Sequence, residues 1–248
     1  MNEPFLKQAN EGAAVTQLTT VLQRLGYLDK TSSVFNHAVR RAVKEFQSRN
    51  LDSRGRPLVC DGIVGELTWW ALNNPNVNNA TAATDFLAPT SGGSVTGRAA
   101  LAVALSEMQH GAREIDANND GPFVQKYLNC ITTTPQMWCA AFVSWCFAQN
   151  PVGMPFRYSL GARDIRNQFQ RKGWAFAASQ QMPEPGDIAV WWRGRQYGSE
   201  GHIGIVHRLE HGVLYTIEGN KGGFPARVNQ FDYVLTRMEK FLGFGRVP

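Results

Sequence analysis

The stretch TPQMWCAAFVSWC, residues 134–146, decides how the second half of the chain is interpreted. Counting from Cys139, the residues three, four and seven positions later are Phe142, Val143 and Cys146, which is the spacing of a core-facing helical stripe. Cys146 is therefore predicted to be a small buried residue of the helix interior. Cys139 lies where the helix begins, and there the free amide groups and the helix dipole favour a thiolate. Cys139 is thus a candidate nucleophile, provided that a histidine lies near it.

The composition is that of a globular chain. Its 248 residues are 43% hydrophobic and 18% charged, enough for one large domain or two moderate ones. No apolar run is long enough to span a bilayer, so we expect no membrane insertion. The first residues lack the basic segment and apolar stretch of a signal peptide, so we expect synthesis in the cytoplasm and delivery by other means.

Charge and cysteine spacing exclude further classes of protein. The net charge is +5, and residues 98–248 carry sixteen basic and twelve acidic side chains. They contain no basic run and no nucleic-acid motif, so we expect no nucleic-acid partner. The four cysteines show neither a CxxC pair nor metal-ligand spacing, which argues against a disulfide scaffold and against a zinc site.

The chain is predicted to contain two domains. Residues 75–97 are rich in Asn, Thr, Ala, Gly and Ser and are typical of a linker between residues 1–74 and residues 98–248. In the first part, two segments have the apolar spacing of amphipathic helices; the stripes are Leu18, Val21, Leu22 and Leu25, and Val39, Ala42, Val43 and Phe46.

A weak internal repeat supports a small helical first domain. SSVFNHAVRRAV, residues 32–43, aligns with DGIVGELTWWAL, residues 61–72, and each copy is predicted to be a turn that leads into a helix. Asn36 and Gly65 occupy the turn, and both residue types tolerate a capping or left-handed backbone. With LQRLGYLD and AVRRAVKEFQ, this last motif resembles the three-helix peptidoglycan-binding domain of wall hydrolases. We therefore name Asp61 and Trp69 as candidate wall-binding residues.

A histidine partner for Cys139 comes from GHIGIVHRLEHGVLYTIEGN, residues 201–220, which has the pattern of a β-hairpin. A three-residue loop at residues 210–212 would set Leu209 opposite Val213. His202 would then face Asn220, with Glu218 diagonal to it and on the same face. His207 would fall on the opposite face, and His211 would lie in the turn.

The second part resembles the CHAP family of cysteine- and histidine-dependent amidohydrolases and peptidases. The matching segments are WCAAFVSWC, PEPGDIAVW, GHIGIV and IEGN, in that order. The resemblance implies a papain-like α+β domain with an antiparallel sheet, following the small all-α domain. It also implies that Cys139 is the nucleophile, His202 the base, Glu218 the group that orients the base, and Asn220 a supporting polar group.

Further residues are candidates for substrate binding, while a metal site is not expected. Gln136 is a candidate oxyanion donor, and Trp191, Trp192 and Arg193 are candidates for a groove wall. One tryptophan could instead pack inward. Residues 116–121 resemble the first half of a calcium loop, but the twelfth position is a tyrosine rather than glutamate. We predict no metal and no cofactor.

These observations predict a monomeric cysteine-dependent peptidoglycan amidase or endopeptidase. The amide would lie in the stem peptide, its cross-link or the muramoyl–alanine junction. The alternatives are a non-catalytic wall-binding protein and a cysteine acyltransferase. A phage lysin, a phage tail component and an injected toxin all fit, so a holin, a secretion machinery or an immunity protein are candidate partners. Action on the wall is expected in the periplasm or outside the cell.

Overall fold

The computed structural model describes residues 3–53, 58–59, 61–75, 89–151 and 153–248, without the side chains of residues 48 and 49. The chain forms two compact units, one of Met1–Ala83 with Asn129–Thr133, the other of Thr84–Leu128 with Thr134–Pro248. No helix among the described residues is long and apolar enough to cross a bilayer.

The first unit contains the predicted helices. They are α1 (Ala13–Arg24), α2 (His37–Arg49) and α3 (Glu66–Asn73). Asn36 caps α2, because its side-chain oxygen accepts hydrogen bonds from the backbone N–H groups of Ala38 (2.9 Å) and Val39 (3.1 Å). Gly65 holds the same position before α3. The prediction that each repeat is a turn leading into a helix is confirmed.

The core of this unit is formed by the apolar faces of these helices. Leu18 and Leu22 of α1, Val39 and Phe46 of α2, and Leu72 of α3 are almost fully buried. The first unit is therefore a small helical domain, as predicted.

The second unit packs helices against one sheet. The helices are α4 (Val95–Gln109), α5 (Pro122–Tyr127), α6 (Cys139–Ala148) and α7 (Ala162–Arg171). The strands are β1 (Ala175–Phe176), β2 (Ile188–Trp192), β3 (Gly201–Glu210), β4 (Val213–Lys221), β5 (Arg227–Val234) and β6 (Phe241–Gly245). A short 3₁₀ turn, Leu235–Arg237, lies in the β5–β6 connection.

The sheet is antiparallel throughout, with the order β1-β6-β2-β3-β4-β5. Helix α6 is buried along almost its whole length, and its apolar side chains join those of α4 and of the central strands in one core. An antiparallel sheet with packed helices is the α+β architecture expected of a papain-like domain.

Two expectations differ from the structure. Most of the predicted linker, residues 76–88, lies outside the described residues, but its end belongs to the second unit. The backbone N–H of Gly93 donates to Glu184 at 2.6 Å, and α4 already begins at Val95. Cys130 is disulfide-bonded, which the cysteine spacing did not indicate, because spacing does not show which cysteines folding brings together. Cys60 lies outside the described residues.

Candidate active site

Cys139 is the first residue of α6 and is 4% exposed. The preceding residue, Trp138, is fully buried, and its ring lies against Gly219 of β4. A Cβ atom on Gly219 would come within 2.3 Å of the ring, so only glycine allows this approach. The indole therefore sets the spacing between the start of α6 and the hairpin.

Glu114 holds this indole in place, a role that the sequence did not indicate. One carboxylate oxygen accepts hydrogen bonds from Trp138 Nε1 (3.1 Å) and from the backbone N–H of Asn119 (2.9 Å). The other oxygen accepts from the backbone N–H of Ala226 at 2.9 Å. The carboxylate is 1% exposed, and all three partners are donors, so its buried charge is compensated.

His202 and Glu218 meet as predicted from the hairpin. His202 Nε2 donates to Glu218 Oε2 at 2.6 Å, and both side chains are buried. Thr216 and Tyr233 each donate a hydroxyl hydrogen bond of 2.6 Å to the other oxygen, Glu218 Oε1. Lys221 Nζ lies 3.4 Å from Oε2 and donates to the hydroxyl of Tyr233. This set of donors fixes Glu218 as a carboxylate.

The sequence could have indicated only part of this donor set. Thr216 lies two residues before Glu218 on the same strand, so strand alternation places it on the same face. Tyr233 belongs to β5, and no local pattern connects it with Glu218.

The predicted hairpin loop is wrong, yet the predicted meeting of His202 and Glu218 is right. Glu210 pairs with Val213, so the loop has two residues, His211 and Gly212, both with positive φ. This shifts the register by one near the turn. A bulge between Val206 and Arg208 takes up one extra residue and restores the predicted register, with Val206 opposite Thr216.

The two histidines near the turn stay outside the site. The extra residue of the bulge is His207, whose Nδ1 lies 2.8 Å from Gln230 Oε1. His211 lies in the turn, as predicted.

The electrostatics of the site favour a thiolate. Burial raises the pKa of Cys139, but the hydrogen bond and charge of His202, followed by the charge of Arg193, outweigh it, and the net pKa is lowered. Burial lowers the pKa of His202, but hydrogen bonds to Cys139 and Glu218 raise it above its ordinary value. Burial raises the pKa of Glu218, but the hydrogen bond with His202 outweighs this effect, and the net pKa is lowered. Each group stabilises the charge of its neighbour.

By contrast, Cys146 has the features of an inert thiol. It is fully buried, and burial together with the nearby charge of Glu107 raises its pKa well above the ordinary value. The sequence-based distinction between the two cysteines is therefore supported by their surroundings.

Arg193 borders the candidate dyad of Cys139 and His202. Its Nη2 donates to His202 Nδ1 at 2.9 Å. Since Nε2 carries the proton shared with Glu218, Nδ1 is left with a lone pair, which is the form able to accept a proton from a thiol. The tautomer thus follows from the hydrogen bonds on both sides of the ring.

Asn220 does not bond to His202. It follows Gly219 with φ of +55°, at an irregularity of the β4–β5 pairing, and is 9% exposed. Its Nδ2 group has no hydrogen-bond partner among the described residues. Asn220 therefore follows the site in the sequence without bonding to His202, and its side-chain NH₂ group is unpaired within the described residues.

The other candidate substrate-binding residues divide into two sets. Trp191 is 7% exposed and packs on Tyr233, with ring centroids 5.0 Å apart, so it is the more buried tryptophan, and it lines the same cleft as Trp192. Trp192 is partly exposed and lines a cleft together with Arg193. For Gln136, the described contacts include a hydrogen bond from its backbone N–H to Asn119 but none from its side chain to the dyad.

The two candidates of the first unit have structural contacts. Trp69 is 1% exposed in the core, and its Nε1 donates to the carbonyl of Pro4 at 2.7 Å. This contradicts a role in wall binding, because the ring has no surface for a ligand. Asp61 is exposed and stabilises its own turn by accepting from the backbone N–H of Ile63 at 2.8 Å.

The loop that resembles half of a calcium site is held by its own hydrogen bonds. Asp120 Oδ1 accepts from the backbone N–H of Gly121 at 2.7 Å, and hydrogen bonds from Thr134 and Gly121 lower the pKa of Asp120. Within the described residues, no group of three or more histidine, cysteine or acidic side chains has a metal-binding arrangement.

Comparison with known families agrees with this geometry. Residues 131–220, which include Cys139, His202 and Glu218, match the family described as "CHAP domain". Residues 11–72 match the family described as "Putative peptidoglycan binding domain". No curated protein and no solved structure matches the chain. The chain therefore contains, in this order, a region that matches a peptidoglycan-binding domain and a region that matches a CHAP domain.

Proposed function

We propose that this protein hydrolyses an amide bond of the peptidoglycan stem peptide, its cross-link or the muramoyl–alanine junction through a thiol mechanism. The observation that carries the proposal is the Cys139–His202–Glu218 arrangement within the CHAP match, with a buried 2.6 Å bond between the last two residues. A histidine oriented by a carboxylate, beside a thiol whose pKa it lowers, is the arrangement that nucleophilic acyl chemistry requires.

The first chemical step uses the lone pair on Nδ1 of His202. Nδ1 takes the proton of the Cys139 thiol, and the thiolate attacks the amide carbon. The backbone N–H groups at the start of α6 have no partner within the helix, so they can stabilise the negative oxygen of the tetrahedral intermediate. Glu218 stabilises the imidazolium that forms.

The second half of the reaction returns the proton. The carbon–nitrogen bond breaks, His202 donates its proton to the departing nitrogen, and an amine leaves with the acyl group held as a thioester. His202 then removes a proton from water, which attacks the thioester. The products are a carboxylic acid and the original thiol, so atoms and charge balance.

The two domains have different roles in the proposal. Residues 1–74 bind the wall and residues 98–248 cleave it, so binding raises the local concentration of substrate without adding contacts at the dyad. The protein reaches the wall in the periplasm or outside the cell, after release or injection. Holin, secretion machinery and immunity protein are the corresponding candidate partners.

Mass spectrometry of digested sacculi tests the proposal. We expect new amine and carboxyl termini at one type of amide, with Cys139→Ala releasing no fragments. Adding a primary amine should not divert the product from acid to amide.

Cys146→Ala is the matched control, because it removes the other free thiol of the described residues and should leave cleavage intact. Equal loss of cleavage in both variants, or fragment release by folded Cys139→Ala, would refute the thiol mechanism.

A further inference from the structure

A cleft of about 450 Å³ opens beside His202. One side is formed by the end of β2, with Trp192 and Arg193, and the other by the β5–β6 connection, which includes Arg237 and Lys240. The cleft therefore extends from His202 to a connection far along the chain, and none of the motifs recognised in the sequence includes that connection.

The lining of this cleft is strongly cationic. Arg193, Lys221, Arg237 and Lys240 contribute positive charges, whereas Glu239 is the one acidic residue of the lining. Lys221 is balanced by Glu218 at 3.4 Å. Among the described residues, the other three cations have no carboxylate within 4.0 Å, and Lys240 instead lies 5.3 Å from the ring centre of Trp192. Their charges are available to a ligand.

Arg193 connects the cleft with the reacting atoms. Its guanidinium donates one hydrogen bond to His202 Nδ1 at 2.9 Å, and further N–H groups of the fork remain for an anion. A carboxylate bound to this guanidinium at about 2.8 Å would lie within about 6 Å of that nitrogen. The anion would therefore sit close to the amide that is cleaved.

A carboxylate there would also affect the base. Nδ1 has to carry a proton once it has taken it from the thiol, and a guanidinium hydrogen bond to the same nitrogen opposes this. A carboxylate that pairs with Arg193 draws the guanidinium away from Nδ1. Binding of the substrate carboxylate would then free Nδ1 of His202 to act as the base.

We propose that this cleft binds a free carboxylate of the stem peptide next to the scissile amide. The proposal rests on the peptidoglycan hydrolase function given above and names the chemical form of its substrate. Peptides in which that carboxyl group is amidated should bind more weakly, because a carboxamide has no negative charge to pair with the three cations.

The test measures binding in the full-length Cys139→Ala chain, so that turnover does not interfere. Three soluble muramoyl tripeptides that end in lysine serve as probes: one with both carboxyl groups amidated, one with only the D-glutamate carboxylate free, and one with only the terminal carboxylate free. Titration calorimetry should show that one of the single carboxylates binds about tenfold more tightly than the fully amidated peptide, the size of one charge-assisted hydrogen bond.

Arg237→Met and Lys240→Met should each remove most of this preference and leave the affinity for the amidated peptide within about twofold. Arg171→Met, which removes an exposed arginine at the end of α7, is the control and should change neither affinity. Equal affinity for all three peptides, or an equal loss in Arg171→Met, would overturn the proposal. Failure of the hydrolase function shows separately, as wild-type chain that releases no fragments from sacculi.

Discussion

Glu218→Gln is the substitution that tests the site most directly. It preserves shape and removes the charge. Glu218 accepts hydrogen bonds from His202, Thr216 and Tyr233, so all three donors converge on two oxygens. In glutamine one of these oxygens becomes an NH₂ group, which cannot accept. Either His202 loses its acceptor, or Thr216 and Tyr233 both do, because they share Oε1.

The expected loss of activity follows from that bond. A hydrogen bond to a charged group contributes about 1.5–3 kcal/mol, and this stabilisation is greatest when His202 is an imidazolium. Since about 1.4 kcal/mol corresponds to a factor of ten, kcat/KM should fall by about 10- to 150-fold. An NH₂ group facing Nε2 would also favour the tautomer with a proton on Nδ1, which cannot accept the proton of Cys139.

The pH profile gives a second measure. Hydrogen bonding to Glu218 raises the pKa of His202, and the active pair is lost at high pH when the imidazolium loses its proton. Without the carboxylate that pKa falls, so the alkaline limb of kcat/KM should move to lower pH. Turbidity loss of sacculi across a pH series measures both effects.

The control is Glu210→Gln in the same hairpin. Glu210 is half exposed and pairs with Arg208 at 3.0 Å, away from the dyad, so activity and pH profile should stay unchanged. A folded Glu218→Gln protein with full activity, or a Glu210→Gln protein that loses as much, would refute the reasoning.

The remaining predictions concern the cysteines, the core of the first unit and the support of the indole. Cys139→Ala should abolish hydrolysis but leave co-sedimentation with sacculi unchanged. Cys146→Ala should stay active and lose about 1 kcal/mol of unfolding free energy in urea, because it removes a buried sulfur atom. Loss of sedimentation in folded Cys139→Ala would contradict this. Trp69→Phe should retain sacculus binding and lower the melting temperature of the first unit, since it removes the bond to a carbonyl and no ligand contact. If folded Trp69→Phe loses binding, the ring does contact the wall. Glu114→Gln should cost about 1–3 kcal/mol in denaturant titrations, because an NH₂ group would face an N–H donor; an unchanged stability would show that these bonds are dispensable.

The sequence predicted the individual helices and strands better than the contacts between residues far apart along the chain. The helical stripe after Cys139 is local, and so is the alternation that places Glu218 on the face of His202. Both follow from spacing along one segment. The bond from Glu114 to Ala226 joins residues 112 positions apart, and no local pattern indicates it.

The hairpin shows why correct partners can follow from a wrong turn. The sequence pattern was compatible with a three-residue loop, but His211 and Gly212 both adopt positive φ and close a two-residue turn. The bulge at His207 then compensates. Alternation cannot reveal a bulge, since the extra residue interrupts the pattern by one position only.

That bulge has a consequence for how the hairpin can vary in length. His202 and Glu218 are sixteen residues apart, an even separation, and a two-residue turn without a bulge pairs residues at odd separations. One extra residue is therefore needed between the turn and these two residues, but its location along the hairpin is not fixed. Deleting His207 while adding one residue to the turn would keep both side chains on one face. Position 207 is thus constrained by the number of residues in the hairpin rather than by the chemistry of its side chain. Two hairpins with the extra residue at different positions would align poorly in sequence and still place the histidine and the glutamate on the same face.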